Sequence, residues 1–195
     1  MAQLKMYWLP GTEIAEFALP EGYSISNYKD EADKVEWFEC CCNGSLVDEN
    51  AKPADSFYSR IGSNPNIDPF EDVFFIDFEG KHVGTVTAYV DKNGNYGDMH
   101  MVGIKTAYRG RGLAKHLSEI TLKHLSTKGI KYIVLTTDEF RKAAVASYLH
   151  AGFHPVEYDE GMEARWQAII DEYGIDSIDM VNEDCSFYKT LIRNK

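Results

Sequence analysis

The sequence predicts a mixed α/β fold, and three observations support this class. The chain has 195 residues, of which 44% are hydrophobic and 26% are charged, as in ordinary globular domains. The residues before Lys105 form β-rich runs separated by turn signals, whereas apolar residues after Lys105 recur with helical spacing. An almost continuous apolar run over residues 131–137 then indicates a strand buried on both faces. We expect one domain that spans residues 1–195.

The first predicted elements are a strand and a helix. Residues 22–28 alternate like a short strand, and Asp30 is a suitable N-cap for a helix that continues through Trp37 to Cys41. Residues 43–68 are instead rich in Asn, Ser, Pro and Gly. We expect this segment to be a mobile connection that holds one short helix.

Three strands should follow this connection. Residues 72–77 and 82–90 are β-rich, and the Glu-Gly pair between them predicts a hairpin. An Asn-Gly turn then leads into a strand over residues 98–105.

The second half of the chain alternates helices with strands. A helical stripe of leucine and isoleucine begins at Leu113 and ends before Gly129, a suitable C-terminal cap. Residues 98–137 therefore predict a right-handed β-α-β unit with parallel strands. The remaining predicted elements are a helix over 140–150, a strand over 153–158 and a helix over 163–173. The acidic segment from Ile175 onward carries no clear signal.

The charge is unevenly distributed along the chain. The formal net charge is −11, which argues against a general nucleic-acid-binding protein because phosphate contacts need a basic face. Residues 105–142 contain nine basic and three acidic residues, a net +6, so the rest of the chain carries −17. The basic segment could attract a polyanion, while the acidic remainder suits a cationic partner.

The cysteines and the hydropathy pattern point to a reducing compartment. Cys40, Cys41 and Cys42 are consecutive and Cys185 is remote, a spacing that completes no zinc-site pattern. We expect buried or half-buried thiols and no metal. No apolar run approaches the ~18–20 residues of a membrane span, and the first residues lack a signal peptide's apolar stretch. We therefore expect a cytoplasmic protein that does not bind membranes.

A glycine-rich loop is the most distinctive motif. It lies between a predicted strand and a predicted helix, where its small residues let backbone N–H groups converge at the positive end of the helix dipole. Such a loop can hold a pyrophosphate, although glycines needed only for turning are the alternative. The spacing fits neither the dinucleotide fingerprint nor the Walker A loop. The residues of the loop are Arg109, Gly110, Arg111, Gly112, Leu113 and Ala114.

Two motifs in this chain resemble those of the GNAT acyl-CoA-dependent N-acetyltransferases. The first motif, Arg/Gln-x-x-Gly-x-Gly/Ala, is met in the loop and follows a strand that carries Val102 and Ile104. Thr106 stands where proline is commoner in the family. The second motif, Asn-x-x-Ala-x-x-Leu-Tyr-x-x-x-Gly-Phe, is met by Ala144, Tyr148, Gly152 and Phe153, with Arg141 and Ser147 replacing Asn and Leu. The likeness covers residues 21–158, so residues 159–195 form an extension.

The resemblance implies a fold and a cosubstrate. The family fold has a central mixed sheet with helices on both faces and a parallel, splayed strand pair, here residues 99–104 and 132–137. Acetyl-CoA would lie between these strands, with its pantetheine arm paired to Val102 and Ile104. Its pyrophosphate would contact residues Arg109, Gly110, Arg111, Gly112, Leu113 and Ala114, and Arg141 could reach a phosphate.

The resemblance also implies catalytic roles. Tyr148 would be the general acid that protonates the departing thiolate, and a backbone N–H near Val102 would stabilise the oxyanion. His100 and Asp98 alternate on one face of a strand, so both side chains can face one cleft, and either could serve as the base. The alternative interpretations are a packing histidine, a turn aspartate and a core tyrosine.

The predicted function is acetyl transfer from acetyl-CoA to a primary amine, by direct attack in a ternary complex. The acceptor would be a small molecule or a peptide N-terminus, since an acidic surface suits a protonated amine. The alternative from another class is a non-catalytic acyl-CoA-binding sensor or regulatory module. A homodimer formed through an exposed strand edge or the C-terminal segment is also compatible with the sequence.

Overall fold

The computed structural model describes residues 2–42 and 45–194, which contain both strands and helices. The mixed α/β class is confirmed. The strands are β1 Leu4–Trp8, β2 Tyr23–Asn27, β3 Val73–Phe78, β4 Lys81–Asp91, β5 Tyr96–Ile104, β6 Ile133–Thr137, β7 His154–Glu157, β8 Ser177–Asn182 and β9 Phe187–Ile192. The helices are α1 Asp33–Cys42, α2 Pro53–Phe57, α3 Pro69–Asp72, α4 Leu113–Ser126, α5 Lys142–His150 and α6 Met162–Tyr173.

The chain divides into two compact units, one of residues 14–130 and one of residues 1–13 with 131–195. The expectation of one domain over residues 1–195 stays a prediction. The splayed strand pair, which has one strand in each unit, also stays a prediction.

The unit of residues 14–130 is built on four consecutive antiparallel strands, β2, β3, β4 and β5. Successive residues of a strand point to opposite faces, so β3 shows which helix covers which face. Phe75 belongs to a core with Trp37 of α1 and Phe57 of α2, whereas Phe74 contacts His124 of α4. Helices α1 and α2 therefore cover one face of this sheet, and α4 covers the other.

The connection between α1 and β3 is more ordered than the sequence analysis expected. Helix α2 runs directly into a π-helical turn, Tyr58–Gly62, and α3 precedes β3. The apolar patch of this segment anchors it, because Phe57 and Ile61 are fully buried in the core that contains Trp37. Asn43 and Gly44, where the expected mobile segment begins, lie outside the described residues.

The other unit is a five-stranded sheet in the order β6, β1, β7, β8, β9. Strand β1 pairs antiparallel with both β6 and β7, and β7 pairs parallel with β8. Tyr7, Val156 and Val181 form its core, and Tyr7 stacks on Tyr132 with ring centroids 4.0 Å apart. Neither β1 nor the β8–β9 pair was predicted from the sequence.

Candidate functional site

One face of the β4–β5 pair carries a cluster of polar side chains. Asp98 and His100 lie two residues apart on β5, as their alternation in the sequence predicts. Their partners across the strand pair are Tyr89 and Thr87 of β4. Tyr89 belongs to the core that contains Trp37, so this cluster faces α1 and α2.

Asp98 is a half-buried carboxyl group that accepts a hydrogen bond from the neighbouring strand. The Tyr89 hydroxyl donates to Asp98 Oδ2 at 3.2 Å. Burial raises the pKa of Asp98 to about 6, although the Tyr89 hydrogen bond opposes this shift. Asp98 is therefore mostly ionised at pH 7 but lies close enough to neutrality to exchange a proton.

His100 is held by the connection between α1 and β3. Its Nε2 lies 3.3 Å from the backbone oxygen of Arg60, in the π-helical turn. A carbonyl oxygen only accepts hydrogen bonds, so Nε2 carries the proton and Nδ1 keeps a lone pair. Burial lowers the pKa of His100, the Arg60 carbonyl opposes this shift, and the Arg60 charge adds to it. His100 is therefore neutral at pH 7 and able to accept a proton at Nδ1.

Strand β5 bulges directly after His100. Thr87 pairs with His100 and Thr85 pairs with Gly103, so Met101 and Val102 together stand opposite one residue of β4. Met101 has a φ of +52°, which is unusual for a residue with a side chain. A bulge removes one residue from the hydrogen-bonded ladder and turns its backbone in a new direction.

Gly103 follows the bulge. Helix α1 approaches β5 so closely at this position that only glycine fits. A Cβ atom at Gly103 would lie 2.6 Å from the backbone oxygen of Cys40. A glycine within a strand often marks such a contact or a bulge, and the sequence analysis missed this signal.

The glycine loop has the backbone geometry of an anion-binding turn. Gly110 and Gly112 have φ values of +75° and +76°, and Gly112 is the N-cap of the 14-residue helix α4. The N-cap glycine supplies no side-chain hydrogen bond, so the first N–H groups of α4 can bind a ligand. A Cβ at Gly110 would meet nothing within 4 Å, and one at Gly112 would meet only Lys115 Cε at 3.7 Å. At both glycines the positive φ, and not a lack of space for a side chain, therefore favours glycine.

Both arginines of the loop are held in place. Arg109 Nε donates to the backbone oxygen of Ile104 at 3.0 Å, at the end of β5. Arg111 donates to the Tyr23 hydroxyl and to the Ala107 oxygen, each at 3.0 Å, and its guanidinium lies 4.9 Å from the centre of the Tyr108 ring. The loop is thus fixed to the end of β5 before any ligand binds.

Tyr148 and Arg141 belong to the unit that contains residues 131–195. Tyr148, on α5, is 7% exposed and packs edge-on against Phe153. Burial raises the pKa of Tyr148 to about 12, with Arg141 opposing the shift. Arg141 is the N-cap residue of α5, and its Nε lies 3.3 Å from Asp138 Oδ2. The roles of Tyr148 and Arg141 stay predictions.

Three neighbours of Asp98 and His100 were not predicted from the sequence: Thr87, Tyr89 and Arg60. Tyr89 and Thr87 become neighbours of Asp98 and His100 only through the β4–β5 register, which the sequence does not display. In the parts of the chain that the structure describes, no group of three or more His, Cys, Asp or Glu side chains could hold a metal ion. Within the same residues, no helix is both long and apolar enough to cross a membrane.

Comparison with known proteins gives one family. The family model described as Acetyltransferase (GNAT) family matches residues 32–153. A mycothiol acetyltransferase from Streptomyces coelicolor is 29% identical over 154 residues, which cover 77% of this chain and 49% of that protein. The chain therefore spans about half the length of the curated relatives it matches.

Solved structures share the fold at low sequence identity. A GCN5-related N-acetyltransferase from Sphaerobacter thermophilus has a TM-score of 0.59 and 19% identity, with 78% of this chain and 47% of that chain covered. The ribosomal-protein-S18-alanine N-acetyltransferase from Escherichia coli has a TM-score of 0.52 and 18% identity, with 67% and 76% covered.

Proposed function

Because the chain belongs to the acetyltransferase (GNAT) family, we propose that it transfers an acetyl group from acetyl-CoA to a primary amine by direct attack. The observation that carries this proposal is the arrangement along β5. The strand bears two groups able to accept a proton, Asp98 and His100, and one 3₁₀ turn, Thr106–Tyr108, connects its end to the glycine loop that precedes α4.

Acetyl-CoA would be held by the loop and by the strand before it. The N–H groups of Gly110, Arg111, Gly112, Leu113 and Ala114 would bind the pyrophosphate, together with the Arg109 and Arg111 side chains. Arg111 is already fixed by two hydrogen bonds, so little side-chain entropy is lost on binding. Backbone groups of Val102 and Ile104 would pair with the pantetheine arm. We assign a phosphate contact to Arg141.

The acceptor amine would arrive protonated and lose its proton at the polar cluster. The Asp98 carboxylate attracts the ammonium group, and neutral His100 accepts the proton, directly or through a water. Asp98 must be ionised and His100 must be neutral, so activity falls as the pH drops through about 6, the pKa of Asp98.

The free amine then attacks the thioester carbon and the C–N bond forms. The C–S bond breaks with its electron pair going to sulfur, and the second proton of the amine is released to water as the amide forms. A backbone N–H at the Met101–Val102 bulge would face the oxyanion, and one such donor typically contributes about 10²- to 10³-fold in rate. Tyr148 would donate to the departing sulfur. With a pKa of about 12, Tyr148 stays protonated at neutral pH and stabilises the thiolate by a hydrogen bond.

The acceptor class remains a primary amine on a small molecule or a peptide N-terminus. Mycothiol acetyltransferase, the name of the curated relative, supports acetyl transfer as the reaction. This relative is 29% identical, and the match covers about half of its length. We therefore infer the reaction from the likeness, but not the acceptor.

The test is a calorimetric titration with acetyl-CoA of the wild type and of two matched variants. Gly112→Trp should weaken binding at least about 10-fold, because the indole fills the space of the pyrophosphate and obstructs the N–H groups. Gly161→Trp is the control. Gly161 is also a helix N-cap, with a φ of +83° and nothing within 4 Å of its Cβ position, so both variants carry similar backbone strain.

Equal affinity in the wild type and in Gly112→Trp would refute the pyrophosphate site. Binding without acetylation of any amine in a broad screen would instead support the non-catalytic acyl-CoA-binding alternative.

A further inference from the structure

Two threonines of β4 lie on the same face and differ in their hydrogen bonding. Thr85 and Thr87 are both completely buried. The Thr85 hydroxyl donates to the backbone oxygen of Phe74 at 3.0 Å. The Thr87 hydroxyl has no hydrogen-bond partner among residues 2–42 and 45–194. A buried hydroxyl without a partner is costly, so a native site of this kind calls for an explanation.

The surroundings of Thr87 supply two further polar atoms without a described partner. Thr87 pairs with His100 across β4–β5, and Asp98 is the next residue of β5 on that face. His100 Nε2 is engaged by the Arg60 oxygen and Asp98 Oδ2 by the Tyr89 hydroxyl. His100 Nδ1 and Asp98 Oδ1 therefore remain available. A buried water needs two to four polar partners, and these two atoms with the Thr87 hydroxyl supply three.

We infer that Thr87 is a positioning residue that holds a water between His100 Nδ1 and the Asp98 carboxylate. This inference rests on the proposed function, because it supplies the route by which the acceptor ammonium loses its proton. The ammonium gives a proton to the water, and the water gives one of its own protons to His100 Nδ1. The water is regenerated, the amine becomes neutral and His100 becomes an imidazolium beside an ionised Asp98.

The other ionisable groups near this water are few. Arg60 acts on His100 from the π-helical turn, Tyr89 bonds to Asp98 from β4, and Asp91 at the end of β4 acts on Asp98 through its charge. Tyr89 and Asp91 lie on β4 at other positions than Thr87, and Arg60 lies in the π-helical turn, so Thr87→Val removes none of these three groups.

The experiment compares Thr87→Val, which replaces the hydroxyl by a methyl group of similar size, with Thr87→Ser and Thr85→Val. Thr87→Val should lower kcat/KM for the amine about 10-fold, a part of the ~10²- to 10⁴-fold that a general base contributes. Its acetyl-CoA affinity should be unchanged. Thr87→Ser keeps a hydroxyl and should restore most of the activity. Thr85→Val should lower Tm, because a real hydrogen bond is lost, and leave kcat/KM unchanged.

A second readout does not depend on activity. NMR titration of the ligand-free protein should show a lower pKa for His100 and a higher pKa for Asp98 in Thr87→Val, because both charged forms lose a hydrogen bond to the water. Thr85→Val should move neither value.

The outcomes separate this inference from the proposed function. If Thr87→Val keeps wild-type activity and titration and has an equal or higher Tm, the hydroxyl is merely unpaired and the inference is wrong. If the wild type acetylates no amine yet the two titrations shift as stated, the bound water is supported and the proposed function fails.

Discussion

Two histidines in the unit of residues 14–130 differ in the partners of their ring nitrogens. The ring of His82, at the start of β4, stacks on Phe75 with centroids 3.8 Å apart. Both ring nitrogens of His82 contact carboxylates, Nδ1 that of Asp77 and Nε2 that of Asp33. Among residues 2–42 and 45–194, His100 has one ring nitrogen engaged, by a neutral carbonyl oxygen.

The difference shows which histidine can work as a base. His82 links α1 to the β3–β4 hairpin and has no nitrogen left to receive a substrate proton. His100 is fixed by Nε2 and keeps Nδ1 available, beside a carboxyl group and a backbone bulge. We therefore regard His82 as a structural link and His100 as the reactive group, and three substitutions test this distinction.

The largest expected effect belongs to His100→Gln. Glutamine keeps a donor for the Arg60 oxygen but cannot accept the proton, so kcat/KM for the amine should fall about 10²-fold at pH 7. Steady-state kinetics over pH 5–9 provide the measurement. The kcat/KM of this variant should still fall on the acid side of the pH profile near pH 6, where Asp98 becomes protonated. Unchanged kinetics with unchanged Tm would show that His100 is only a packing residue.

His82→Gln should affect stability instead. The substitution leaves the carboxylates of Asp33 and Asp77, whose side chains are 15% exposed, without their imidazole partner. We expect a loss of about 1–3 kcal/mol in the free energy of unfolding, measured by urea denaturation. The folded fraction should keep wild-type kcat/KM. A larger effect on kcat/KM than on stability would contradict the comparison.

Arg60→Met should have the smallest effect. The substitution removes the side-chain charge that lowers the pKa of His100 and retains the backbone oxygen that accepts from Nε2. The pKa of His100, measured by NMR titration, should therefore rise by less than about one unit. Because Arg60 is exposed, 1 M salt should reduce the difference between variant and wild type. A fall in the His100 pKa would contradict the assigned direction.

Part of the fold follows from local patterns and part does not. The predicted strand over 98–105 and the predicted helix from Leu113 correspond to β5 and α4, because alternation and helical spacing are local signals. Strand β1 has only five residues, and its pairing partners, β6 and β7, lie more than a hundred residues further along the chain. Its position as a central strand is decided by that long-range pairing. The same holds for the parallel pairing of β7 with β8.

The candidate site divides in the same way. The sequence by itself determined the glycine loop and the placement of Asp98 and His100 on one face of a strand, because both depend on residue type and short spacing. Only the tertiary structure decided that Tyr89 bonds to Asp98, that the Arg60 oxygen engages His100 Nε2, and that Thr87 faces the same cluster. The physical reason is that strand register and burial, which set hydrogen-bond partners and pKa shifts, arise from contacts between residues far apart in the chain.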